Sequence, residues 1–209
     1  MIGGPRAVGH RHRRAAKNVE PHMPHTVILM RHPQTGGDAV EEIRASVSWN
    51  HGEPMAFTYA LKGELSRLRI PRFRQLPRSD RLWKHTCFEA FVAVKDNPAY
   101  CEFNFAPSGE WAVCEFRRYR EPATPPTEKS ALEITVRRAG DSLQLDALVW
   151  VDRWQAIEPG ARLSVALSAV IEDNRGMLSY WALKHPPGEP DFHHADAFAL
   201  EIERPATNR

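Results

Sequence analysis

Helical periodicity is almost missing from this sequence. No three-turn segment repeats apolar residues at helical spacing, and only "VDRWQAIEPG" (151–160) suits a single short turn. Long apolar runs are missing too: nothing reaches the roughly 18 uncharged residues of a membrane-spanning helix, so no membrane partner is expected. No apolar stretch follows the charges at the N-terminus, so no export signal is read there. Cysteine is confined to Cys87, Cys101 and Cys114. An odd number without CxxC spacing argues against a structural zinc site and against a secreted disulfide framework. A reducing cytoplasm is therefore the expected setting, with the thiols as small buried hydrophobes. There is no Gly-rich phosphate loop and no GxSxG elbow, which argues against nucleotide binding and against a serine triad.

What the chain does have is alternation. Period-two segments recur between turns spaced as in a sandwich or barrel: Thr26–His32, Glu42–Asn50, Met55–Gly63, Thr86–Val94, Tyr100–Phe105, Trp111–Phe116, Leu132–Arg138, Ser142–Trp150, Arg162–Glu172, Leu178–Leu183 and Ala197–Glu203. "AGDS" (139–142) and "EDNRG" (172–176) have the Gly, Asp and Asn of strand-joining turns, while "EPATPPTEK" (121–129) is too proline-rich for a strand interior. No composition break divides residues 26–205. The expectation is one all-β domain, an antiparallel β-sandwich of jelly-roll type over 26–205, preceded by a disordered basic tail over 1–25. The 209 residues are 42% hydrophobic, enough for a sizeable core, and carry a net charge of only +2. The Arg/His run in the tail has no interleaved aromatics, so no nucleic-acid partner is expected.

The stretch "YCEFNFAPSGEW" (100–111) reads as two strands over a Pro-Ser-Gly turn. A turn centred on Pro107–Ser108 sets Cys101 opposite Cys114, Phe103 opposite Ala112 and Asn104 opposite Trp111. Both cysteines then face the core with Phe103, Phe105 and Phe116. Tyr100, Glu102, Asn104, Trp111, Val113 and Glu115 share the other face. In the preceding strand Glu89 lies between apolar neighbours. A buried carboxylate without a partner is costly or changes its pKa, so Glu89 needs a cation, a donor or a ligand.

Together, "LWKHTCFEAFVAV" (82–94), "YCEFNFAPSGEWAVCEFRRYR" (100–120) and "YWALKHPPGEPDFHHADAFAL" (180–200) resemble the bacterial DOMON-like family, related in fold to DOMON domains and to family-nine carbohydrate-binding modules. The resemblance runs from about Thr26 to Glu203. It implies a ligand-binding β-sandwich, with sugars or haem as ligands among the relatives. Haem-binding DOMON domains use an axial Met and His; Met55 and Met177 are available here, but neither sits in a ligand motif. No cofactor is expected.

These readings converge on non-catalytic binding of a small molecule, a sugar first. Trp83 or Trp111 would stack on the ligand, with His85 beside Trp83, and Glu89, Glu102 and Asn104 would exchange hydrogen bonds with it. Arg120, beside Tyr119, supplies a guanidinium fork. His185, Asp191 and His193, from the dense loop "KHPPGEPDFHHAD" (184–196), would close the rim. Imidazole and carboxylate chemistry would allow a metal at His185, His193 and Asp196, but adjacent His193 and His194 on a strand point to opposite faces and cannot easily share one, and no metal site is expected. No catalytic residue is assigned. The rivals are an enzyme using Glu89 or a His as acid or base, a haem protein, and a protein-interaction module.

Overall fold

A computed structural model of the chain describes residues 23–50, 52–74, 79, 81–123, 131–150 and 157–205. Most of the basic tail, much of the proline-rich crossover and most of the "VDRWQAIEPG" turn lie outside the described residues. The strands are β1 His25–Arg31, β2 Val40–Trp49, β3 Met55–Gly63, β4 Cys87–Val94, β5 Tyr100–Phe105 and β6 Trp111–Arg118. They continue as β7 Glu121–Pro122, β8 Ala131–Ala139, β9 Ser142–Trp150, β10 Arg162–Glu172, β11 Leu178–Ala182 and β12 Leu200–Glu203. Among the described residues the only helical pieces are short 3₁₀ turns.

All strand pairs are antiparallel. The first sheet runs β1-β2-β3-β9-β8 and the second β7-β6-β5-β4-β10. Beyond β10 the second sheet divides, since one half of that strand pairs with β12 and the other with β11. β1 serves both sheets: His25–Leu29 pair with β2, while Met30 and Arg31 pair with Ala182 and Trp181 of β11. The product is an antiparallel β-sandwich, as the alternation predicts.

The alternate residues of each sheet meet in one core. The first sheet contributes Ile43, Val47, Phe57, Tyr59 and Leu145; the second contributes Phe88, Phe103, Phe105 and Leu167, all essentially without solvent contact. Ring centroids of Tyr59 and Phe88 are 5.0 Å apart, and those of Phe57 and Phe105 5.7 Å. Each such side chain contributes about 1.5–3 kcal/mol by leaving water. The Tyr59 hydroxyl is satisfied by donating to the Glu89 carbonyl at 2.6 Å.

The β5–β6 hairpin corrects the expected register. Tyr100 faces Phe116, Glu102 faces Cys114, Asn104 faces Ala112 and Phe105 faces Trp111. The turn is closed by Gly109 N–H on the Ala106 carbonyl, and Ala106 N–H bonds Glu110. Gly109, at φ +92°, is the extra residue that such a bulged hairpin places in left-handed backbone. One added residue turns every following side chain to the other face. Trp111, Val113 and Glu115 therefore lie on the core side with Cys101, whereas Cys114 and Phe116 join Tyr100, Glu102 and Asn104. Cys101 and Cys114 thus lie on opposite faces of the sheet.

The outer face of the second sheet is covered as well. The strap from Lys184 to Ala199, with Phe192, Ala197 and Phe198, packs on Phe91, Tyr100, Ala166, Val170 and Ala182. For this reason β5 is buried at every position. The polar residues that alternate along β4 and β5 are enclosed rather than solvated.

Candidate functional site

Between this outer face, the Tyr119–Arg120 turn and the strap lies a pocket of about 320 Å³. Its floor is Glu89 of β4 and Glu102 of β5, two positions that the alternation of neighbouring strands sets on one face. Cys114 and Phe116 of β6, Val170 of β10 and Tyr180 of β11 continue the sheet side. Arg120 comes from the turn, Pro190, Phe192 and His193 from the strap, and Trp83 from the 3₁₀ turn Leu82–Lys84 at the mouth.

Glu89 is only 3% exposed, and its Oε1 has no hydrogen-bond partner. Burial pushes its carboxyl well above the usual range, and the nearby Glu102 adds to the push. Glu102 is raised by burial too, although an Asn104 bond and Arg120 pull the other way. Its Oε1 accepts from Asn104 Nδ2 at 2.6 Å, and its Oε2 lies 3.7 Å from His193 Nε2.

His193 is held by geometry. Tyr100 Oη accepts the Arg120 backbone N–H at 3.1 Å and lies 2.8 Å from His193 Nδ1. The arrangement that satisfies all three groups has Tyr100 donating to Nδ1, leaving the imidazole proton on Nε2 toward Glu102. Phe91 and Phe116 meet the imidazole edge-on at 5.1 and 5.0 Å. Burial in this cage, with a smaller push from Arg120, lowers its pKa to about 4 against the pull of Asp191. At neutral pH the ring carries no charge. Asp191 is the clamp of the strap: it accepts Tyr119 Oη at 2.8 Å, Arg120 Nη2 at 2.8 Å and His193 N–H at 3.1 Å. Burial raises this carboxyl, and the bonds from Tyr119 and Arg120 more than reverse the effect.

Of the residues expected at the site, Glu89, Glu102, Arg120, His193 and Trp83 line the pocket. Asn104 lies behind Glu102, and Cys87 Sγ donates to its Oδ1 at 3.5 Å. Asp191 braces the rim through Arg120. Three residues are placed elsewhere. Trp111 packs on the main core because of the Gly109 bulge. His85 meets the buried Glu172 at 2.7 Å beside Arg69, and lines no part of the pocket. His185 bonds the Met30 carbonyl at 2.8 Å and meets His32 edge-on, away from His193. Phe116, Tyr180 and Phe192 were not anticipated as walls. Phe116 was concealed by the register, and Phe192 lies in a segment without periodicity.

Met55 is buried in the main core and Met177 is exposed, so neither faces the pocket. Among the described residues no group of three or more His, Cys, Asp or Glu comes together as a metal cradle. A larger hollow of about 580 Å³ shares His193 with it, but its acid, Asp96, is exposed.

No protein family's sequence profile matches the chain, and no curated protein matches it. Solved structures do. A family-nine carbohydrate-binding module from Caldicellulosiruptor kristjanssonii, in complex with cellotriose, superposes with a TM-score of 0.52 at 10% identity, over 91% of this chain and 84% of that one. A candidate carbohydrate-binding protein from Bacteroides uniformis superposes with a TM-score of 0.51 at 14% identity, over 75% of each chain. At such identities the likeness is one of fold, and the fold is a β-sandwich of the family-nine kind.

Proposed function

We propose that the pocket binds a sugar unit without covalent chemistry. The observation that carries this reading is the buried, unpartnered Oε1 of Glu89, in a pocket closed on one side by Phe116, Tyr180 and Phe192. An unmade hydrogen bond at a buried carboxyl costs about 1–3 kcal/mol, and a ligand hydroxyl would remove that cost. Aromatic faces suit the C–H faces of a pyranose, and Trp83, 44% exposed at the mouth, is placed to cover a ring. The volume lies in the roughly 300–1,000 Å³ range of small-molecule sites. The cellotriose-bound module of like fold and the DOMON-like motifs support the same ligand class.

Titration calorimetry against a panel of neutral and amino monosaccharides tests the reading. Binding that Phe116→Ala weakens at least about tenfold supports it; silence across the panel refutes it. One observation favours a second reading, acid–base chemistry on a small polar substrate: two neighbouring carboxyls are raised by burial. Glu89→Gln separates the two, because an enzyme loses turnover of a bound sugar whereas a binding site shows no turnover in either form.

A further inference from the structure

We infer that the ligand is an amino sugar whose protonated amine rests on the Glu89–Glu102 floor; this deepens the sugar-binding reading and rests on it. The floor has acceptors to spare. Among the described residues Glu89 Oε1 has no partner, and His193 Nε2 stands off from Glu102 Oε2 at 3.7 Å. Beside Glu89 on the same face, Ser168 is 1% exposed and its Oγ is also unpartnered. These acceptors, two of them on the pocket floor and the third beside Glu89, match the three donors of an ammonium, whereas a hydroxyl brings a single donor.

Charge points the same way. The Arg120 guanidinium is engaged by Asp191, and the His193 ring is held neutral by its cage. With Arg120 already serving Asp191, no other cation lines the pocket among the described residues, and burial raises both carboxyls, Glu89 well above the usual range. An arriving ammonium supplies the missing charge and displaces a proton, and the aromatic walls add favourable cation–π faces. Cys114 and Tyr180, the other titratable groups of the sheet side, carry no compensating positive charge.

The test is calorimetry near about pH 7 with glucosamine, glucose and N-acetylglucosamine, repeated in buffers of different ionisation enthalpy. Glucosamine should bind at least about tenfold tighter than either neutral sugar, with net proton release. The preference should weaken toward acid pH. Glu89→Gln should abolish the release and bring the ratio of glucosamine to glucose affinity, measured within the variant, to about one; Glu102→Gln gives an independent second variant. If glucose or N-acetylglucosamine binds as tightly as glucosamine, the inference falls and the sugar reading stands. If none of the three binds, the sugar reading falls and takes the inference with it.

Discussion

Replacing Glu89 by glutamine should change how stability depends on pH, in a direction the site fixes. In the folded chain this carboxyl is raised well above its usual range by burial and by Glu102; in the unfolded chain it titrates near about 4.3. Between those values the native state keeps a proton that the unfolded state has released. Unfolding stability therefore falls as pH rises, by about 1.4 kcal/mol per pH unit for one such group. The contribution is complete below the unfolded pKa and is lost toward the folded one. Glutamine cannot ionise, so the variant lacks this slope. The difference between variant and parent reports Glu89 together with its interaction with Glu102, since His193, whose lowered pKa gives the opposite slope between about 4 and 6.5, is common to both. From about pH 5 to 6 the variant should gain about 1.4 kcal/mol on the parent, or about 3–6 °C in Tm for a chain of this size. Urea unfolding at matched ionic strength measures it. Parallel pH profiles for the two proteins would show Glu89 ionising like a surface acid, and the enclosed floor would be refuted.

The other predictions concern the frame of the pocket. Trp111→Ala should cost about 2–3 kcal/mol in urea unfolding, as a half-buried core truncation, and leave sugar affinity unchanged; an affinity loss would contradict the observed register. Gly109→Val should destabilise by about 1–3 kcal/mol because a branched side chain tolerates left-handed backbone poorly, and a neutral result in thermal melts would contradict the bulge. Arg120→Gln frees one side of Asp191, a partly exposed pair worth about 1 kcal/mol. Amide exchange at 191–194 should quicken about fivefold, and unchanged protection would show that the clamp does not hold the strap.

Strand positions were legible because half-buried strands write their burial into alternate residues: Met55–Gly63, Ser142–Trp150 and Arg162–Glu172 run as the pattern predicts. The oddity of Glu89 was legible for the same reason, since an acid among apolar neighbours stands out locally. Register was not. Whether the hairpin loop spends one residue more is decided by Gly109 backbone conformation, and that choice moved Trp111 out and Phe116 in. The histidines show a second limit. His85 finds Glu172, and His185 finds Met30, across sequence separations that no local pattern reports. The division of β10 between β11 and β12 and the sharing of β1 between sheets are likewise products of distant pairing.

The order of parts along the chain has a consequence during synthesis. β4, β5 and β6 leave the ribosome before β10, β11 and the strap that will cover them. Until then the face that carries Glu89 and Glu102 has no cover, and the two acids interrupt what would otherwise be a largely apolar ribbon.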